Sequence, residues 1–134
     1  YFFDEQVALA TRFDLPLIIH SVQATEDVSD LLKSYSKSRG VIHAYSGTLQ
    51  EAKILMKMNF LFGFSHNLSN PHAYKLHDIV KFLPLESILI ETDDHKNPDE
   101  LIQVAERVAR IKKITVEQVI EQCDQNAFKL FNLA

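Results

Sequence analysis

Four short apolar runs of the sequence end in side chains that can bind a metal or take part in catalysis. In chain order these are His20 and Ser21, His43, Ser65 and His66, and Glu91, Thr92 and Asp93. Because side chains alternate along a β-strand, Glu91 and Asp93 point to the same side of their run. Neutral imidazole and carboxylate are ligands that divalent cations such as Zn²⁺ and Mn²⁺ accept. The pattern predicts that His20, His43 and Asp93 converge on one cation.

A cation held at that point would lower the pKa of a bound water and polarise a phosphoryl or carbonyl oxygen. The predicted chemistry is therefore metal-dependent hydrolysis. Glu91 has two equally good interpretations, namely direct chemistry or a structural role in which it accepts hydrogen bonds from loop amides. Ser46, which follows His43 by three residues, is a further candidate for contact with the metal centre or the substrate.

The elements that must position these residues alternate between strands and helices. The strand-like runs, 17–20, 41–45, 60–64 and 88–92, are nearly all apolar, which is typical of strands buried on both faces. Helix starts are indicated by Thr48 with Glu51, by the pairs Asn70-Pro71 and Asn97-Pro98, and by Thr115 with Gln118. The tail residues Phe128, Leu130 and Phe131 are expected to pack back on the sheet. Such alternation predicts right-handed βαβ units and a parallel sheet.

Four such βα units amount to half of a (β/α)₈ barrel, since a complete barrel takes about 250 residues. A small doubly wound sheet is the alternative within the same α/β class, and chain length does not choose between the two. Both architectures carry their active sites at the carboxyl ends of the parallel strands. The candidate ligands stand at those ends in either case.

The composition is that of one globular domain covering residues 1–134. Of its 134 residues 46% are hydrophobic and 24% charged, which excludes intrinsic disorder. No apolar run reaches the roughly 18 residues of a membrane-spanning helix, and the start does not resemble a secretory leader. We therefore expect a soluble, cytoplasmic protein that has no membrane partner. Because the first residue is Tyr rather than Met, we also expect a piece of a longer polypeptide.

Charge and cysteine content narrow the function classes. Fourteen basic and eighteen acidic residues give a net charge of −4, so no overall positive field attracts nucleic acid. Binding of a phosphate-bearing substrate would require a local positive charge, such as a metal ion. Cys123 is the single cysteine, which excludes an intramolecular disulfide and a cysteine-built zinc site. Its position on an apolar helical face predicts a buried, inert thiol.

Four motifs, taken in order, resemble the TatD family of metal-dependent deoxyribonucleases, and the likeness covers nearly the whole chain. They are Leu-Pro-Leu-Ile-Ile-His-Ser at 15–21, Gly-Val-Ile-His-Ala-Tyr-Ser-Gly at 40–47, Pro-Leu-Glu-Ser-Ile-Leu-Ile-Glu-Thr-Asp at 84–93 and Asn-Ala-Phe-Lys-Leu-Phe at 126–131. The resemblance implies a TIM barrel of the amidohydrolase-like kind, of which this chain is the C-terminal half. It also implies hydrolysis of phosphodiester bonds in DNA with divalent metal ions.

Position by position, the resemblance implies that His20 and His43 hold one metal and that Asp93 helps to hold another. Asp93 is also the residue that accepts a proton from the attacking water, which suits a carboxylate next to a metal. The implied cofactors are one or two ions of Mg²⁺, Mn²⁺ or Zn²⁺. The implied partner is DNA or another phosphodiester substrate.

The sequence departs from the family pattern at three places. The family's opening His-x-His pair and its middle-strand Glu do not occur in these 134 residues. Val22 stands where the family usually has Arg, which removes a phosphate contact. Asp94 follows Asp93 in place of the family's small residue and long loop, and Lys96 remains as a cation that can meet phosphate.

Three functions fit this pattern. The first is the later half of a metal-dependent phosphodiesterase, nucleolytic by resemblance. The second is a catalytically inactive or truncated TatD-like fragment that acts as an oligomerising or interaction module, because an open half-barrel exposes two strand edges and an apolar inner face. The third is a barrel hydrolase acting on an amide or ester, since the same metal cage serves these reactions.

Overall fold

The computed structural model describes residues 2–20, 30–35, 38–92 and 98–132. Its strands are β1 (Leu17–His20), β2 (Gly40–His43), β3 (Leu61–Phe64) and β4 (Ile88–Ile90). Its longer helices are α1 (Phe2–Arg12), α2 (Leu49–Lys57), α3 (Tyr74–Phe82), α4 (Pro98–Lys112) and α5 (Val116–Phe131). A helical segment lies at 30–33, and 3₁₀ turns span His66–Ser69 and Leu85–Ser87.

The strands form one parallel sheet in the order β1-β2-β3-β4. Neighbouring strands are in register through pairs such as His20 with His43 and Phe64 with Ile90. Each strand lies next to the one that follows it in the chain, so the strand order does not reverse. A doubly wound sheet requires such a reversal. The doubly wound alternative is therefore wrong for the described strands.

The two faces of the sheet have different partners. The helix-facing side carries fully buried side chains that share one core with residues of all five helices; they include Ile19, Ile42, Phe62, Phe64 and Ile88. On the opposite face, called here the inner face, Val41 and Leu89 pack against Leu130 near the end of α5. Most helical contacts thus lie on one side of the sheet, while the end of α5 reaches the inner face. A parallel sheet with its helices mainly on the outer side is the arrangement of a barrel wall.

Local capping signals predicted most helix starts. Thr48 Oγ1 accepts the Glu51 amide at 3.1 Å before α2, and a complete capping box precedes α5. The helix start predicted at Asn70-Pro71 is wrong. Asn70 Oδ1 instead accepts the His72 amide at 2.9 Å in a local turn, and α3 begins only at Tyr74. Asparagine favours such turns as strongly as it favours helix caps.

The last helix fastens the end of the chain to the sheet. Asn126 is buried and donates to two backbone carbonyls around the start of β4, both at 2.9 Å. Leu130 is buried against the inner face, as predicted. The prediction that Phe128 packs there is wrong, because Phe128 is 51% exposed. It lies two residues from both Asn126 and Leu130, which puts it on the opposite side of a helix.

Two expectations from composition concern the thiol and the membrane. Cys123 is a buried free cysteine, as predicted. Burial, and secondarily the Asp124 carboxylate, raise the pKa of this thiol to about 12, although a backbone hydrogen bond at Ile90 lowers it in part. Among the described residues, no helix is both long enough and apolar enough to cross a bilayer. The cytoplasmic location stays a prediction.

Candidate metal centre

The structure brings His20 and His43 side by side at the rim, which is the edge of the sheet where the strands end. The two residues are register partners on β1 and β2. Their ring centroids are 4.5 Å apart, and the ring planes are inclined by 51°. His20 is exposed, whereas the His43 side chain is only 16% exposed. Imidazoles this close can direct nitrogen atoms at one cation.

The Glu91 carboxylate fixes the orientation of the His43 ring. Glu91 directly follows β4, and its Oε2 lies 2.7 Å from His43 Nδ1. The same oxygen accepts the backbone N–H of Ala44 at 3.0 Å, where the chain leaves β2 with a left-handed backbone at Ala44 (φ of 49°). A carboxylate oxygen accepts, so Nδ1 carries the proton in this bond, and Nε2 is the ring nitrogen left to face a candidate cation.

The sequence left two interpretations of Glu91, a structural role and direct chemistry. The structural one expected loop amides as donors, and the Ala44 amide is such a donor. The carboxylate also contacts the ring of a candidate ligand, His43. The direct chemical role of Glu91 stays a prediction.

Glu91 reaches His43 across an intervening strand, and Gly63 makes this possible. Gly63 stands on β3 between β2 and β4. A Cβ added at Gly63 would lie inside the space that the Glu91 carboxylate occupies. Gly63 was not among the residues predicted for the site. Its signal was a lone glycine within an apolar strand, which often marks a close approach of another group.

The remaining predicted site residues are placed less fully. Asp93 and Lys96 lie outside the described residues. Ser46 is exposed in the turn between β2 and α2. Within the part of the chain that the structure describes, no group of three or more His, Cys, Asp or Glu side chains is arranged to hold a metal ion. The structure thus unites two of the three predicted ligands and leaves Asp93 a prediction.

A cavity of about 430 Å³ lies beside the candidate site, between the inner face and helices α4 and α5. We call it the β4-edge groove. His43 and Glu91 contribute to its lining, and most other lining residues are apolar, among them Ile18, Leu89 and Ile120. Ile18 is 57% exposed although it is an inner-face strand residue. The inner face is therefore only partly covered within the described chain.

Comparison with known proteins agrees with this geometry. The sequence profile of the family described as TatD related DNase matches residues 1–132. The chain belongs to the TatD family. The resemblance found in the four motifs is thereby confirmed.

Named relatives of this TatD family member include hydrolases from distant organisms. The uncharacterised metal-dependent hydrolase YabD of Bacillus subtilis (strain 168) is 34% identical over an alignment of 144 positions, which covers 98% of this chain and 56% of YabD. The deoxyribonuclease TATDN3 of Homo sapiens is 32% identical over an alignment of 135 positions, which covers 94% of this chain and 48% of TATDN3.

A solved structure confirms the fold class of the TatD chain. The crystal structure of YJJV, a TatD homolog from Escherichia coli K12, matches with a TM-score of 0.88 at 28% sequence identity. The match covers 98% of this chain and 55% of YJJV. The chain spans about half the length of these relatives and forms part of a TIM barrel, as predicted.

The described residues fit the metal dependence that the name of YabD states. Two imidazoles stand together at the rim, and one of them is hydrogen-bonded through its other ring nitrogen to a carboxylate. Histidines that ligate metals almost always have such a second partner. Imidazole nitrogen suits Zn²⁺, Mn²⁺ and similar cations. The donor set therefore supports metal use, without indicating which metal.

Proposed function

We propose that this chain is the later half of a TatD-like deoxyribonuclease, which cleaves phosphodiester bonds of DNA with a metal-activated water. The supporting observation is the imidazole pair of His20 and His43 at the rim, with the Glu91 carboxylate 2.7 Å from His43 Nδ1. The deoxyribonuclease name of human TATDN3 supports DNA as the substrate. The net charge of −4 means that a local cation, rather than an overall field, would bind the phosphate.

In this proposal each residue has a defined task. His20, His43 and Asp93 would hold a divalent ion, Mg²⁺, Mn²⁺ or Zn²⁺, and Glu91 would keep the His43 ring turned toward it. When bound, such an ion would supply a water of lowered pKa and positive charge for the phosphoryl oxygens. Asp93 would also accept the proton of the attacking water. Ser46 and Lys96 contact the substrate.

The proposal is tested by the cleavage of a fluorescently labelled DNA oligonucleotide. The protein is produced with whatever residues its gene encodes before Tyr1. We expect cleavage with added Mg²⁺, Mn²⁺ or Zn²⁺ and none with EDTA. His43→Ala should reduce the rate about a hundredfold or more, because it removes a metal ligand.

The matched control is His72→Ala, which removes an exposed histidine whose ring contacts Tyr74. This variant should cleave at the wild-type rate. Absence of cleavage with all three metals would count against a nuclease. Cleavage that persists in EDTA would count against a metal-dependent one.

A second candidate function, an oligomerising module, is favoured by the open inner face. Within the described strands, β1 and β4 each have one edge without a neighbouring strand. Ile18 is 57% exposed, and the β4-edge groove is mostly apolar. Eight parallel strands close a barrel. A second copy of the chain would supply the other four strands. The β4 strand of each copy would then pair with β1 of the other copy.

Sedimentation velocity tests this second function. A homodimer at micromolar concentration is expected, and Ile18→Lys should shift it to monomer because the charge would lie in the closed interior. Lys33→Ala, an exposed change beside Asp30, is the control and should remain dimeric. A wild-type chain that stays monomeric would exclude the module.

A further inference from the structure

A second carboxylate, Glu100, connects three segments at the rim. It lies in the first turn of α4, and its side chain is only 15% exposed. Glu100 Oε1 is 3.1 Å from His66 Nδ1. Glu100 Oε2 accepts the Thr92 hydroxyl at 3.1 Å. Both oxygens of this mostly buried group are therefore engaged by different segments of the chain.

The two partners of Glu100 mark the exits of two neighbouring strands. His66 opens the 3₁₀ turn that follows β3, and Thr92 is the second residue after β4. Thr92 directly follows Glu91, whose carboxylate holds His43. A chain of contacts thus runs from the start of α4, through Thr92 and the backbone of Glu91, to the imidazole at the rim.

The His66 turn is itself well anchored, so the contact with Glu100 has a fixed partner. Leu68 in this turn is fully buried, and its carbonyl lies 3.1 Å from His77 Nε2. Arg107 of α4 donates to the Ser69 carbonyl at 3.2 Å. A carboxylate bonded to such a turn is held in place. It can in turn restrict the Thr92 side chain and the backbone beside Glu91.

We propose that Glu100 is a positioning residue for the metal centre, acting through Thr92 on Glu91 and His43. The inference rests on the proposed metal-dependent function. Outer carboxylates that orient ligating histidines change metal affinity about 10- to 100-fold when they are lost. Glu100 stands one contact further out than Glu91, so the lower end of that range applies.

The test is a titration of the protein, produced with whatever residues its gene encodes before Tyr1, with Mn²⁺ alone at 10 °C, followed by the EPR signal of the free ion. Glu100→Ala is expected to raise the Mn²⁺ dissociation constant about tenfold. Glu100→Gln keeps the shape of the side chain and can bond both partners, because the Thr92 hydroxyl both donates and accepts. It should stay within about threefold of wild type.

The matched control is Glu106→Ala, which removes an exposed carboxylate from the same helix and should bind Mn²⁺ as wild type does. Thermal unfolding of every variant without metal separates positioning from folding. A merely structural Glu100 would lower the midpoint of unfolding and leave the affinity at 10 °C unchanged. If Glu100→Ala does not fold, Thr92→Val removes the same link with almost no change in volume and should weaken Mn²⁺ binding about threefold or more.

The outcomes separate the two proposals. Wild-type protein that binds none of Mn²⁺, Mg²⁺ and Zn²⁺, the last two followed by calorimetry, would refute the proposed metal-dependent function, and the role of Glu100 with it. If only Mg²⁺ or Zn²⁺ binds, the same variants are titrated with that ion. Wild-type chain that binds Mn²⁺, together with Glu100→Ala and Thr92→Val variants that match Glu106→Ala, would overturn only the positioning role. Graded loss, largest for Glu100→Ala and smallest for Glu100→Gln, is the result expected.

Discussion

Replacing Gly63 by alanine removes the space through which Glu91 reaches His43. The added Cβ would overlap the carboxylate, so Glu91 must turn away. Gly63 does not have positive φ, and alanine can therefore adopt its backbone. The displaced carboxylate loses the His43 ring at 2.7 Å and the Ala44 amide at 3.0 Å. The substitution thus changes the contacts of the His43 ring without touching His43 itself.

The expected magnitude follows from these two contacts. A hydrogen bond to a charged group contributes about 1.5 to 3 kcal/mol, and loss of a partner that orients a ligating histidine weakens metal binding about 10- to 100-fold. We expect the Mn²⁺ dissociation constant of Gly63→Ala to rise by that factor, which corresponds to about 1.4 to 2.8 kcal/mol. The free energy of unfolding should fall by a similar amount.

A double-mutant cycle supplies the assay. Mn²⁺ affinity is measured for wild type, Gly63→Ala, Glu91→Ala and the double variant. Glu91→Ala has no carboxylate for the new Cβ to displace. We therefore expect Gly63→Ala to have almost no further effect in that background, so that the coupling energy is about as large as the effect of Gly63→Ala alone.

Equal loss of affinity from Gly63→Ala in both backgrounds would refute the reasoning. The substitution would then act on β3 itself and not through the carboxylate. Unchanged affinity in Gly63→Ala with intact folding would show that Glu91 does not control the ligand.

Three further predictions concern the stability and reactivity of the fold. Asn126→Ala removes the donor of the buried Ile88 carbonyl and one of two donors of the partly buried Leu85 carbonyl, so the free energy of unfolding in urea should fall by about 1 to 3 kcal/mol, whereas exposed Gln125→Ala should change it little. Thr115→Ala removes the capping box of α5 and should cost about 1 kcal/mol in the same experiment; no change would mean that the cap contributes nothing. The pKa of Cys123 is raised from 9.0 to about 12, so the stability this thiol contributes is fully present below pH 9 and is lost as pH rises toward 12. At pH 8 its reaction with a disulfide reagent should be about a thousandfold slower in the folded chain than in urea, and fast labelling of folded protein would contradict the burial.

The fold and the histidine pair were predictable because they depend on short-range patterns. Apolar runs of four or five residues separated by helical periods specify a parallel sheet, and such a sheet brings the carboxyl ends of its strands together. His20 and His43 each stand at the end of such a run, so their approach follows from topology alone. The residues of Asn70-Pro71 illustrate the limit. Their local signal fits a turn as well as a cap, and packing beyond the segment decides.

The carboxylates that surround the histidine pair, Glu91 and Glu100, were not predictable in the same way. The contact between Glu91 and His43 requires the register of three strands and a missing side chain on the middle one, which periodicity does not provide. Glu100 stands in a helix start, where acidic residues are common for reasons unrelated to any site. The positions of its two partners depend on how the chain runs in the segments that follow β3 and β4. Only the assembled chain brings His66 and Thr92 to the same carboxylate.

Strand β4 shows how the chain separates folding from chemistry. Side chains two residues apart on a strand share a face, so Leu89 and Glu91 both belong to the inner face at different heights. Leu89 is buried with Val41 and Leu130, and this lower layer stabilises the sheet whether or not a cation is present. Glu91 lies at the rim, where its contacts orient one imidazole. Because the two layers do not share side chains, substitutions at the rim can change metal affinity while the apolar layer preserves the fold.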